Sequence, residues 1–265
     1  MMAGSSDYHI RMQGPDDKPG LILIHGFLGS SLDWLPVTRT IGNEYRFMLP
    51  DLPGHGQTPA SDLPFESQIE LLAETLECRQ RTPSFLAGYS MGGRIALYLA
   101  LRHPELFRKA IIISASPGLK TEKERQSRRE SDALLATKIE TNFRQFLKDW
   151  YNLPLFVTLK NHPSLYSVLR ARERNKPDRI AIALRTLGTG SQPSLWQELG
   201  NSQIPLTFFA GEKDLKYVEI GRQMVNLCPR INLEIFPECG HTLHIEKHAL
   251  FIDRLLLSLT EESSL

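Results

Sequence analysis

Residues 88–92 read Gly-Tyr-Ser-Met-Gly, and their surroundings constrain the fold more than any other feature of the chain. The pentapeptide fits G-x-S-x-G. It follows a short apolar run, Ser84-Phe85-Leu86-Ala87, and opens a stretch of helical character, RIALYLALR, that Pro104 stops. A strand turning this sharply into a helix forces the serine between them into a strained backbone conformation, and small flanking residues make room for it. The hydroxyl then stands above the carboxyl edge of a sheet, at a helix N-terminus that favours developing negative charge. The five letters alone would also fit a Gly-rich turn with an N-capping serine. The strand–turn–helix setting selects a nucleophile elbow centred on Ser90.

The rest of the chain supplies the sheet. Runs at 21–24 (LILI), 46–49, 85–87, 110–113 (AIII), 206–210 and 231–236 have the length of strands. They lack polar alternation, which suits parallel strands covered on both faces. Helical patterns lie between them: 66–79 sets Ile69, Leu72, Ala73 and Leu76 at helical spacing, and 92–102 is the helix behind Ser90. This alternation predicts the α/β class, with a mostly parallel central sheet flanked by helices. The 265 residues, 41% of them apolar, are enough for one large domain with a sizeable core and a modest insertion.

The insertion is visible as a break in the alternation over residues 117–200. That segment carries 15 Lys and Arg against 9 Asp and Glu, a local charge of +6 in a chain whose net charge is +1. It reads as helical, with 122–135 and 141–150 the clearest helices. The expected organisation is a core of residues 1–116 and 201–265 under a helical cap of 117–200, in one continuous folding unit, with the cap over the carboxyl edge of the sheet. Near-neutrality argues against nucleic-acid binding as the main task. Three cysteines, Cys78, Cys228 and Cys239, lack metal-type spacing, so neither a disulfide scaffold nor a zinc site is expected, and a reducing cytoplasm is the default. The opening MMAGSSDYHIRMQG has no apolar core of a signal peptide, and the stretches 109–114 and 249–257 are too short to span a membrane. No metal or organic cofactor is indicated.

A serine nucleophile needs a base, and the base an orienting carboxylate. On a sheet of this kind they follow in the order serine, acid, histidine. Asp214 closes Gly211-Glu212-Lys213-Asp214 just past the run 206–210, and His241 closes Glu238-Cys239-Gly240-His241 just past 231–236. Glu212 is an alternative acid, and His244 and His248 are alternative bases. The two histidines fall on the following helical stretch, where a solvated face accounts for them. His25-Gly26-Phe27-Leu28-Gly29-Ser30 follows the first run. The backbone N–H groups of Phe27 and Met91 are the expected oxyanion-hole donors. His25 and the loop Asp51-Leu52-Pro53-Gly54-His55-Gly56 read as structural.

Together HGFLGS, DLPGHG, GYSMGG, GEKD and CGH identify the chain as a member of the α/β-hydrolase superfamily. That names a fold and a triad, not a reaction. The cap motifs are more specific. Ser114-Ala115-Ser116-Pro117-Gly118-Leu119, Trp150-Tyr151 with Pro154-Leu155-Phe156, and Leu187-Gly188-Thr189-Gly190-Ser191-Gln192-Pro193-Ser194-Leu195-Trp196 closely resemble the 2-succinyl-6-hydroxy-2,4-cyclohexadiene-1-carboxylate synthases. These are the pyruvate-eliminating lyases of menaquinone and phylloquinone biosynthesis. The resemblance implies a small-molecule substrate with three carboxylates, contacted by Arg94, Arg128 and Arg172, with Tyr89 and Trp150 lining the site. Arginine pairs carboxylates in a bidentate fork, so an Arg-rich cap suits such a molecule. A solvated helix face remains open for each of the three, and it is the favoured reading of Arg125, Arg129 and Arg170. Trp196 reads as cap packing. The resemblance further implies that Ser90, helped by His241, removes the proton α to the succinyl ketone while the oxyanion hole holds the enolate oxygen. A serine hydrolase (a carboxylesterase, a thioesterase or a C–C bond hydrolase) is the alternative that the triad alone leaves open. A non-catalytic binding protein would typically lack a triad member.

Overall fold

The computed structural model describes residues 8–260; the first seven residues of the N-terminal stretch read for a signal peptide lie outside it. Seven strands form one sheet: β1 (Ile10–Gln13), β2 (Gly20–Ile24), β3 (Arg46–Pro50), β4 (Ser84–Tyr89), β5 (Phe107–Ile113), β6 (Leu206–Gly211) and β7 (Ile231–Phe236). Their order is β1-β3-β2-β4-β5-β6-β7. All neighbours are parallel except β1, which runs antiparallel to β3.

The unbroken apolar runs follow from two cores, one on each face. Leu21, Leu23, Phe47, Leu49, Ile111 and Phe209 point into one, against the helices Leu35–Ile41 and His248–Thr260. Ile22, Ile24, Met48, Leu86, Ile112 and Phe208 point into the other, under Phe65–Arg79, Met91–Arg102 and Leu215–Leu227. Successive side chains alternate faces, so a strand buried on both sides must be apolar at every position.

Between β5 and β6 the chain leaves the sheet. Thr121 caps the helix Glu122–Thr141 with a capping box, its hydroxyl accepting the Glu124 N–H while the Glu124 carboxylate accepts the Thr121 N–H. This helix runs six residues beyond the expected 122–135, and the added residues bury Ala136 and Ile139. Asn142 ends it and caps the next, Phe143–Tyr151. The helices Val157–Lys160, Leu165–Arg172 and Pro177–Leu187 follow. These elements share a third core, where Ile139, Phe146, Leu159, Ile180 and Leu184 meet Leu28 of the loop after β2. No helix among the described residues is long and apolar enough to cross a membrane.

Candidate active site

Because β2, β4, β6 and β7 are parallel, the loops that follow them emerge on one edge, and Phe27, Ser90, Asp214 and His241 all lie there. Ser90 has φ 53° and ψ −110°, a left-handed conformation that a non-glycine residue keeps only where its surroundings compel it. The compulsion is visible. The Ser90 N–H donates to the Ile113 carbonyl at 2.8 Å, and a Cβ on Gly92 would collide with the carbonyl oxygens of Ile24 and His25. Only glycine lets the helix approach β2 this closely.

His241 is 1% exposed, and its Nδ1 donates to Asp214 Oδ2 at 2.7 Å. This leaves Nε2 as the acceptor of the Ser90 hydroxyl, at 3.1 Å. The Tyr217 and Tyr89 rings flank the imidazole at 4.9 and 5.4 Å. Glu212 instead accepts the Glu238 N–H at the surface. His244 makes no bond to Ser90. Nor does it lie on a solvated face: it is buried against Tyr89 (4.6 Å) and Trp34 (5.0 Å), and burial pushes its pKa down to about 4. It lies in the short helix Leu243–Glu246, where Leu243 and His244 are the buried residues. His248 is half-buried and meets the Thr40 hydroxyl.

Two histidines cross-brace the loops beneath. His25 donates to the Gly26 carbonyl and accepts the Leu52 N–H; His55 donates to the Pro53 carbonyl and accepts the Leu28 N–H. Asp51 accepts the N–H groups of Ser31 and Gln57. The loop bearing Phe27 is thereby held rigid beside Met91, the first residue of its helix, whose N–H has no carbonyl one turn earlier to meet.

A cavity of about 720 Å³ opens over Ser90, with Arg94, Arg128, Trp150 and Trp196 in its wall. Arg94 is 8% exposed, yet its guanidinium donates only to neutral oxygens, Gln192 Oε1 and the Leu187 carbonyl, both at 2.8 Å. No carboxylate is bonded to it, and burial pushes its pKa down to about 10; the Arg128 charge adds to the effect, and Tyr217 and the Asp132 carboxylate offset it only in part. Arg128 donates through Nε to Asp132 at 2.8 Å. Trp150 packs edge-on to Phe27. Trp196 donates to the Gly118 carbonyl. Arg125 and Arg129 share Glu122, and Arg170 lies over the Tyr166 ring.

Arg172 is placed differently. With Tyr89 and Ser90 it lines a small chamber of about 40 Å³, but Asp33 holds it in a bidentate pair at 2.7 and 2.6 Å, and its Nε donates to the Tyr151 hydroxyl. Burial alone would lower the pKa of Arg172 and raise that of Asp33; their mutual attraction wins in both. Asp33 carries no local sequence pattern, and Tyr151 stands out only as part of the Trp150-Tyr151 motif, with nothing in it to foretell the bond to Arg172. Lys216 and Tyr217 also line the large cavity, and their place two and three residues after Asp214 is the sequence signal that marks them.

A model of the α/β hydrolase fold matches residues 19–248, and the chain is an α/β-hydrolase-fold protein. It is 33% identical over 251 residues to the putative 2-succinyl-6-hydroxy-2,4-cyclohexadiene-1-carboxylate synthase of Bacillus subtilis, a match covering 92% of this chain and 91% of that protein. It is 32% identical to the synthase of the same name from Yersinia pestis, covering 93% and 89%. The structure of MenH from S. aureus superimposes with a TM-score of 0.89 at 32% identity, covering 95% of this chain and 97% of that one. Against the chloroplastic protein PHYLLO of Arabidopsis thaliana the identity is 34% over 85% of this chain, which spans 14% of that longer protein. Within the α/β-hydrolase fold, the chain belongs to the 2-succinyl-6-hydroxy-2,4-cyclohexadiene-1-carboxylate synthase family.

Proposed function

We propose that the protein eliminates pyruvate from 2-succinyl-5-enolpyruvyl-6-hydroxy-3-cyclohexene-1-carboxylate to give 2-succinyl-6-hydroxy-2,4-cyclohexadiene-1-carboxylate. The observation that carries this reading is a Ser90–His241–Asp214 chain opening on a cavity whose wall holds arginines, one of them buried and bonded only to neutral oxygens. An apolar ester needs no such wall; a tricarboxylate does.

In this reading Asp214 keeps the Nδ1 proton on His241, so Nε2 takes the Ser90 proton as the serine oxygen removes the hydrogen α to the succinyl ketone. The C–H electrons pass to the carbonyl oxygen, and the Phe27 and Met91 N–H groups hold the resulting enolate. When the ketone re-forms, the pair moves through the ring double bond and breaks the C–O bond to enolpyruvate. The enolpyruvate takes up a proton and becomes pyruvate. Arg94 and Arg128 hold carboxylates, Tyr89 and Trp150 shape the apolar walls, and Arg172 offers the N–H bonds that Asp33 and Tyr151 leave free. Residues 117–200 act as a cap on the core of 1–116 and 201–265.

The test is pyruvate release from enzymatically generated substrate, followed by a coupled dehydrogenase. Parallel assays use p-nitrophenyl acetate and an acyl-CoA. Turnover of the tricarboxylate with little ester cleavage is expected. Efficient ester or thioester hydrolysis without pyruvate release would favour a serine hydrolase instead.

A further inference from the structure

We infer that Lys216 is a specificity-determining residue that holds one of the substrate carboxylates, completing with Arg94 and Arg128 a set of three cations around the large cavity. The inference rests on the pyruvate-eliminating reading above and deepens it.

Three carboxylates call for three cations, but Arg172 lies in the separate small chamber with both terminal nitrogens on Asp33, whereas Arg128 faces the large cavity and gives Asp132 only its Nε bond. The large cavity over Ser90 contains a third cation of its own in Lys216. Its position costs stability in three ways. Lys216 is the second residue of the helix Leu215–Leu227, whose first turn contains no acidic side chain, so a cation sits at the positive end of the helix dipole. Partial desolvation and the charge of Arg128 both disfavour the ammonium, and Asp214 offsets them only in part. Asp214 itself is turned toward His241. Among the described residues Lys216 has no ion pair; its ammonium stands 5.3 Å from the centre of the Tyr217 ring. A Glu or Gln at this helical position would serve folding better. An anion entering between Arg128 and Lys216 removes both the mutual repulsion and the dipole penalty.

Arg128 links the set, since its charge reaches both Arg94 and Lys216. A flexible lysine at the exposed rim suits capture of a carboxylate that must later leave.

The experiment compares wild type, Lys216→Gln, Lys216→Glu and Lys216→Arg with the tricarboxylate substrate, at several salt concentrations. Losing one charged hydrogen bond made equally in ground and transition states should raise KM roughly 10- to 100-fold with kcat little changed. Lys216→Glu should be worse, Lys216→Arg should recover most of the loss, and the salt dependence of kcat/KM should weaken in Lys216→Gln. Lys216→Gln should melt no lower than the wild type, because the cation it removes disfavours folding, and this separates binding from folding. If the wild type releases pyruvate while Lys216→Gln stays within twofold in kcat/KM, or loses kcat at constant KM, this inference is overturned alone. If the wild type releases no pyruvate, the functional reading falls and takes this inference with it.

Discussion

Replacing Asp33 with Asn leaves the Arg172 guanidinium buried with a neutral partner. The Arg172 side chain is 9% exposed and that of Asp33 16%, so water replaces little of what is lost. Two charge-assisted bonds, at 2.7 and 2.6 Å, become at best one neutral one. Removing one member of a buried pair costs about 3–5 kcal/mol, because the remaining ion is uncompensated. At about 2 °C per kcal/mol for a chain of this size, the melting temperature should fall roughly 6–10 °C. The pair joins residues 139 apart in sequence, tying the helix Leu165–Arg172 to the turn Ser31–Trp34 that follows β2. The loss should therefore appear first in hydrogen exchange of the cap amides, ahead of the sheet. The double variant Asp33→Leu, Arg172→Met should recover most of the stability, since apolar replacement removes both desolvation penalties. The assay is urea denaturation of the three proteins. An Asp33→Asn loss under about 1 kcal/mol would refute the view that Asp33 consumes the charge of Arg172.

Ser90→Ala, Asp214→Asn and His241→Ala should each lower kcat strongly with the fold intact, and a Ser90–His241 double variant should lose far less than the product of the single losses; multiplicative losses would mean that the residues act independently. Arg94→Ala and Arg128→Ala should each cost roughly 30-fold to several thousand-fold in kcat/KM for the tricarboxylate, from about 2–5 kcal/mol per unpaired charge, and not for a small neutral ester; values within about twofold of wild type count against a charged clamp. Burial holds His55 neutral down to about pH 3 and His244 down to about pH 4, so the unfolded chain takes up these protons first as pH drops through 6.5. The stability they contribute is complete above pH 6.5 and lost on acidification toward pH 4 and then 3, by several kcal/mol in all at about 1.4 kcal/mol per pH unit. Denaturation curves at stepped pH should show this loss, and His244→Phe should flatten its upper part.

The interior strands were legible because each is buried on both faces, so local composition alone marks them: 206–210 differs from β6, and 21–24 from β2, by one residue; β7 is an edge strand buried only at Ile231 and Phe236, yet its six residues still make a readable run. β1 escaped for the opposite reason. It is a four-residue edge strand in which only Ile10 is fully buried, and short half-exposed strands leave no run to read. Ser90, Asp214 and His241 could be singled out as candidates because each lies in the segment that follows a strand, and parallel strands deliver such segments to one edge whatever lies between them. What sequence could not supply was the identity of partners met across the fold. Whether His244 faces water or the Tyr89 ring depends on one short turn. Whether Arg172 is free for a ligand depends on Asp33, and whether Lys216 is an ordinary surface charge depends on the cap bringing Arg128 beside it. Periodicity and turn chemistry are local and survive in one dimension. The fate of a charge is set by its nearest counter-charge in space, which only the packing of cap on core decides.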